Sequence, residues 1–231
     1  MTTVAIMQPT YLPWLGYFAL MDQVDVFVLL DSVQFERAGW QQRNRIKGAG
    51  GPQTLTVPVF KKGLREQCIA DVQINPSGGF PEKHVRAIQH CYAHAPHFEP
   101  YGAALFAGLR RPYERLADLT IDLIQWLAGQ LGITTRCVRG SSLDATGEKA
   151  GLLADLCRQL GADRYVSPPG ARAYLEGSDA FDSLGIPVIY NDYRHPTYPQ
   201  LHGRFASHLS IVDLMFNVGP DSLAIIRGGV A

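Results

Sequence analysis

Residues 3–31 read "TVAIMQPTYLPWLGYFALMDQVDVFVLLD", and the fold turns on them. "TVAIM" (3–7) is short and apolar without alternation, the mark of a strand covered on both faces. "VDVFVLLD" (24–31) is a second run of the same kind. Between them, "WLGYFALMDQ" (14–23) has the length and apolar spacing of a short helix. Strand, loop, helix and strand within about 30 residues form a βαβ unit, because parallel strands need a crossover. The expected fold is therefore α/β, an open, mostly parallel sheet with a Rossmann-like start. The loop "QPTYLPW" is unusual in its contents. Turns are normally built from small polar residues. Aromatic groups held by proline-stiffened backbone are suited instead to the wall of a pocket.

Working outward, "RNRIK" (43–47), the Gly-rich "GAGG" (48–51) and "QTLTVPV" (53–59) read as two short strands around a turn. "CIADVQI" (68–74) reads as a third. Residues 79–132 read as a helical insertion within one α/β domain spanning 1–231. Its last helix, "PYERLADLTIDLIQWLAGQLG" (112–132), opens with Pro112 at a tolerated first-turn position and closes on Gly132, with Leu116, Leu119, Leu123, Trp126 and Leu127 on one face. Alternation then resumes. "TTRCVRG" (134–140), "DRYVS" (163–167) and "IPVIYND" (186–192) read as strands, and "EKAGLLADLCRQLG" (148–161) and "ARAYLEG" (171–177) as helices. "HPTYPQLHGRF" (195–205) reads as an extended loop. "LSIVDLMFNVGPDSLAIIR" (209–227) reads as two helices broken at "NVGPDS".

Composition narrows the function. The 231 residues are 46% hydrophobic, enough for a sizeable core, and Lys+Arg and Asp+Glu balance at 21 each. Zero net charge argues against nucleic-acid binding through bulk charge. No apolar run has the length of a membrane span, and "MTTVAIMQP" lacks the basic and apolar regions of a signal peptide. Cys68, Cys91, Cys137 and Cys157 form no CxxC pair, which suits a reducing cytoplasm.

Ligands of open parallel sheets gather at the carboxyl ends of the strands. Gln8 to Tyr17, Asp31 with Gln34, Ser167 to Gly170, and Asp192 to Gln200 all fall there. In "QRNRIK", Arg43, Arg45 and Lys47 alternate and so share a strand face, with Arg37, Lys61, Lys62 and Arg65 near in sequence. Such a face suits a phosphate or carboxylate, or equally a charged strand edge. His90 and His94 have helical spacing for a metal, but Pro96 follows at once and no HExxH pattern is present, so no metal site is expected. Cys91 is better suited to packing than to attack. In "NDYRHPTYPQ", His195 titrates near neutrality and Asp192 is close enough in sequence to orient it.

"MQPTYLPWLGYF", "VDVFVLLDSVQF", "WQQRNRIK", "LTVPV", "YVSPPGARAYL", "DYRHPTYPQ" and "LSIVDLMFNVG" together resemble the WbqC-like protein family, in the right order and over residues 4–226. The family occurs in bacterial polysaccharide (O-antigen) and secondary-metabolite gene clusters, beside amino-sugar and acyl-carrier genes. Its motif positions fall on Gln8, Pro9, Tyr11, Pro13, Trp14, Gly16, Tyr17, Asp31, Gln34, Arg43, Asn44, Asp192, His195, Tyr198 and Gln200. The run "YLPWLGY" is also similar to the first loop of HxGH nucleotidyltransferases. Trp14 and Tyr17 stand where those enzymes carry imidazoles. That likeness implies a nucleotidyltransferase-like βαβ start and not the reaction.

Together these readings give an expected cytoplasmic biosynthetic transferase. It would pass an acyl or aminoacyl group from a thioester to a small amine such as an amino sugar. His195, oriented by Asp192, is the expected base, and Gln8, Gln34 or Asn44 the oxyanion donors. Tyr11, Trp14, Gly16, Tyr17, Asp31, Tyr198 and Gln200 are expected to shape the substrate site. Arg43 and Arg45 would hold the phosphopantetheine or sugar phosphate. No tightly bound cofactor is expected. The donor would be a coenzyme A or phosphopantetheine thioester, with an acyl carrier protein as partner and neither nucleic acid nor membrane. Two alternatives stand beside it: nucleotidyl transfer from ATP or CTP, and a non-catalytic scaffold of a biosynthetic complex.

Overall fold

The computed structural model describes residues 1–63 and 66–230, so Arg65 lies outside the described residues. Strands are β1 (Thr3–Met7), β2 (Val26–Leu29), β3 (Arg43–Gly48), β4 (Gly51–Thr56), β5 (Arg136–Arg139), β6 (Arg164–Ser167) and β7 (Val188–Tyr190). Helices are α1 (Leu15–Asp22), α2 (Glu82–Tyr92), α3 (Phe98–Leu109), α4 (Leu116–Leu131), α5 (Lys149–Gln159), α6 (Arg172–Leu175), α7 (Ile211–Val218) and α8 (Ser222–Arg227).

The main sheet runs β5-β2-β1-β6-β7, and each neighbouring pair is parallel. Val4, Ile6, Val26 and Val28 pack on one face against Leu153, Leu156 and Tyr165. Ala5, Phe27 and Leu29 pack on the other, against residues of α1, α4 and α7 such as Phe18, Leu127 and Leu214. Burial on both faces is why these strands read as unbroken apolar runs. α1 follows the same logic. Leu15 to Met21 are all buried, so the helix has no polar face.

β3 and β4 form a separate antiparallel hairpin that packs on α2 and α7. Segment 68–74 is not a strand. Ile69–Asp71 is a single 3₁₀ turn, with isolated bridges at Cys68 and Ile74. Its amides and carbonyls pair with scattered loop positions, such as Ala70 N to Asp31 O, instead of one continuous edge. The helical stretch contains α2, α3 and α4, whose apolar faces join the core on the α1 side of the sheet. Gly132 ends α4 with φ 79°, a conformation glycine adopts without strain.

Candidate functional site

β1 ends at Met7, and its outgoing loop is fixed at three points. Tyr11 N donates to Trp40 O at 3.1 Å, and Ile211 N to Pro13 O at 2.7 Å. Asn44 Nδ2 donates to Tyr11 O at 3.2 Å and Leu12 O at 2.7 Å, holding Leu12 at φ 44°. This frame leaves a hollow of about 220 Å³ at the carboxyl end of β1. Trp14, Tyr17 and Trp40 give it apolar walls, completed by Met7, Thr10, Asn44, Arg45 and His208.

The floor is an aromatic stack. The Trp14 ring lies against His208 at 5.1 Å and His195 at 6.1 Å between centroids, with Tyr193 edge-on at 5.6 Å. Gly16 is required by this stack. A Cβ there would lie 2.2 Å from the Trp14 ring, so the glycine makes room for the indole and not for a ligand.

The expected pairing of Asp192 with His195 is not formed. His195 Nδ1 lies 2.8 Å from Pro196 O, and Nε2 accepts the His208 amide at 3.1 Å. With one nitrogen donating and the other accepting, the ring is neutral, and burial pushes its pKa down. Both nitrogens serve the backbone, so His195 braces the loop and has no lone pair open for a substrate proton. Asp192 is exposed and borders a different hollow, with Gln23 and Arg164. The reason is backbone pairing. Tyr193 bridges to Val230 and Arg194 N bonds to Gly229 O, which turns the residues on either side apart.

The three alternative oxyanion donors border different cavities. Asn44 borders the hollow, but its amide holds the Tyr11 and Leu12 carbonyls. Gln8 accepts from Gln41 Nε2 at 2.7 Å and borders the adjoining cavity. Gln34 borders a third, with Glu36 and Arg37. Tyr11 is core, its hydroxyl 2.8 Å from His84 Nδ1. Asp31, fully buried, accepts from Ser141 N at 2.8 Å, from Ser141 Oγ at 2.9 Å and from Arg139 Nε. It ties the ends of β2 and β5 together.

Of the basic strand, Arg45 borders the hollow and its Nη2 donates to His208 O at 3.3 Å. Arg43 stacks on Trp40 at 5.6 Å. Lys47 is buried, with Nζ 3.2 Å from Gln200 Oε1 and 3.3 Å from Gly203 O. Tyr198 and Gln200 point at Asp213, donating to its Oδ2 at 2.9 and 2.8 Å. Of the many residues expected to share one crevice, Trp14, Tyr17, Asn44 and Arg45 border this hollow, and His208 and Trp40, which are not among them, border it too. No local pattern marks His208. Its place is set by the long-range bond from Ser210 N to Arg45 O.

Cys91 is buried, its Sγ accepts from Gln53 Nε2 at 2.7 Å, and burial raises its pKa, which disfavours a thiolate. Among the described residues, no group of three or more His, Cys, Asp or Glu is arranged to hold a metal ion. Nor, among them, is any helix long and apolar enough to cross a membrane.

Comparison with known proteins agrees with the motif blocks. A protein of Mycobacterium tuberculosis, "Uncharacterized protein Rv1507c", is 37% identical over 231 residues, covering 98% of each chain. No solved structure matches. The family model described as "WbqC-like protein family" matches residues 8–225, from the loop that floors the hollow to the last helix, and the chain belongs to that family.

Proposed function

We propose that the chain is a biosynthetic transferase that forms an amide, moving an acyl or aminoacyl group from a thioester to a small amine. The observation that supports this reading is the hollow itself. It joins an aromatic wall, able to hold an apolar acyl chain or a pantetheine arm, to one cation, Arg45, and one imidazole, His208. The amine nitrogen attacks the thioester carbonyl. His208 takes the proton released by that nitrogen, the C–S bond breaks, and the proton passes to the departing thiolate. His208 replaces His195 in this role. Its Nδ1 lies 3.0 Å from Ser207 Oγ, which leaves Nε2 for the substrate. Arg45 attracts the anionic part of a coenzyme A or carrier-bound donor. The setting is polysaccharide or secondary-metabolite synthesis in the cytoplasm.

Thermal shift with acyl-CoA, ATP, CTP and UDP-amino sugars tests the reading. Stabilisation by acyl-CoA, followed by thiol release in the presence of an amine, is the expected result. Stabilisation by ATP or CTP with pyrophosphate release would replace it with nucleotidyl transfer. His208→Gln is expected to lower turnover about 100-fold while leaving donor affinity nearly unchanged.

A further inference from the structure

A second cavity, of about 300 Å³, adjoins the hollow across a shared wall of Met7, Thr10 and Trp40. It opens between the carboxyl ends of β1 and β6, where Ile6, Gln8, Tyr165 and Pro168 meet. Here the chain leaves β1 toward α1 on one face of the sheet and leaves β6 toward α6 on the other. That reversal is where open α/β sheets take ligands.

Its chemistry is the opposite of the first hollow's. Among the described residues that line it, Glu36 alone carries a formal charge, and no cation is present. The side-chain amides of Gln8 and Gln41 are among its neutral polar groups, alongside Thr10. Gln41 Nε2 is engaged by Gln8, while Gln41 Oε1 is buried without a partner. A buried acceptor in that state calls for a donor. Trp40, 51% exposed, and Tyr174, 43% exposed, are among the large apolar side chains left at the surface, and both border this cavity.

We infer that this cavity binds the amine substrate. A protonated amine meets Glu36 through a charge-assisted hydrogen bond. Its hydroxyl or carbonyl groups meet Gln8 and Gln41, and its body packs on Trp40 and Tyr174. An anion is disfavoured, since the one charge is negative. To react, the ammonium gives one proton to the Glu36 carboxylate, and the neutral amine then passes to the adjoining hollow, where it attacks the thioester beside His208. The inference rests on the transferase reading for the identity of the site as an acceptor site; amine binding does not depend on it.

Calorimetric titration of the full chain with glucosamine, ethanolamine and N-acetylglucosamine tests it. Both amines are expected to bind, with N-acetylglucosamine, whose nitrogen is uncharged, about tenfold weaker than glucosamine. Glu36→Gln is expected to weaken both amines about tenfold and leave N-acetylglucosamine and acetyl-CoA unchanged. Glu36 is exposed, and circular dichroism is expected to show the variant folded. No heat from either amine, or equal amine affinities in the two proteins, overturns the inference. Glu36-dependent amine binding without any acyl-CoA binding keeps the inference and removes the transferase reading. Acyl transfer with an unchanged amine KM in Glu36→Gln does the reverse.

Discussion

Asp31 and Asp213 are both fully buried carboxylates, but their partners differ in kind. Asp31 faces a guanidinium, and Arg139 also reaches Asp118 on α4 at 2.7 Å. That cluster clamps the β2–β5 side of the sheet to a helix and ends there. Asp213 accepts from the Tyr92 hydroxyl at 2.7 Å, the Tyr198 hydroxyl at 2.9 Å and the Gln200 amide at 2.8 Å. These donors are neutral, and burial raises the Asp213 pKa, opposed by the Tyr92 and Tyr198 hydrogen bonds and then by the nearby Lys47 ammonium. Its partners come from α2 and the 198–200 segment, and Gln200 in turn accepts from Lys47 and from Ala206 N. One carboxylate fixes the frame. The other fixes the loop that carries His208 to the hollow.

The largest expected effect follows from that difference. Asp213→Ala leaves two hydroxyls and an amide facing a void and is expected to destabilise the chain by about 5 kcal/mol. Stabilisation by acyl-CoA in thermal shift should disappear with it, because the 198–208 segment loses its anchor. Asp31→Ala is expected to cost about 4 kcal/mol, somewhat less because the orphaned Arg139 retains Asp118 and partial access to water. In urea titration the two losses should be of similar size. In ligand binding only Asp213→Ala should show a defect, and equal defects would break the distinction.

A third buried polar group sharpens the comparison through pH. His84, between Tyr11 and Thr56 O, has its pKa lowered by burial from 6.5 to about 4. Above pH 6.5 the ring is neutral in both folded and unfolded chains, so its contribution is complete. Between 6.5 and about 4 the unfolded chain takes up a proton that the folded one excludes, and stability falls. The total loss is about 3 kcal/mol. Asp213 acts in the opposite sense. Its raised pKa lets the folded state take a proton first, so acid relieves part of its cost as pH falls toward the ordinary carboxylate range. Denaturation of the wild type and His84→Gln across this window separates the two, since only the variant should lack the His84 slope.

The same contrast explains what could be read in the sequence. The βαβ start was legible because burial on both faces writes itself into "TVAIM" and "VDVFVLLD" as unbroken apolar runs. The α4 stripe and its closing Gly132 were legible because helical periodicity and the left-handed cap are local. Trp14 and Tyr17 could be placed together because both follow the carboxyl end of β1, whereas Arg45 lies mid-strand in the separate β3–β4 hairpin and reaches them through long-range bonds such as Ser210 N to Arg45 O. The details that failed are long-range. Asp31 looks like a site residue at a strand end, but it is claimed by Arg139 and Ser141, more than a hundred residues later. Asp192 is three residues from His195, yet the pairing of Tyr193 with Val230 separates them. Asp213 falls inside the block "LSIVDLMFNVG", but nothing local in that apolar helix gives it a role, and only the fold brings Tyr92 to it.

The smallest expected effect tests whether the Asp213 network acts as a unit. Tyr198→Phe removes one hydroxyl donor to Oδ2 while keeping the ring that packs edge-on to Phe205 at 5.4 Å. Asp213 retains Tyr92 and Gln200, so the expected loss is about 1.5 kcal/mol. Gln200→Leu removes the second donor to the same oxygen. If the two donors support one another, the double variant should lose about 1 kcal/mol more or less than the sum of the single losses, as neighbours in one network do. Simple additivity would mean that each bond stands alone. The loop bearing His208 would then be held by separate tethers and not by a shared carboxylate, and its hold on the hollow would weaken in proportion to each bond removed.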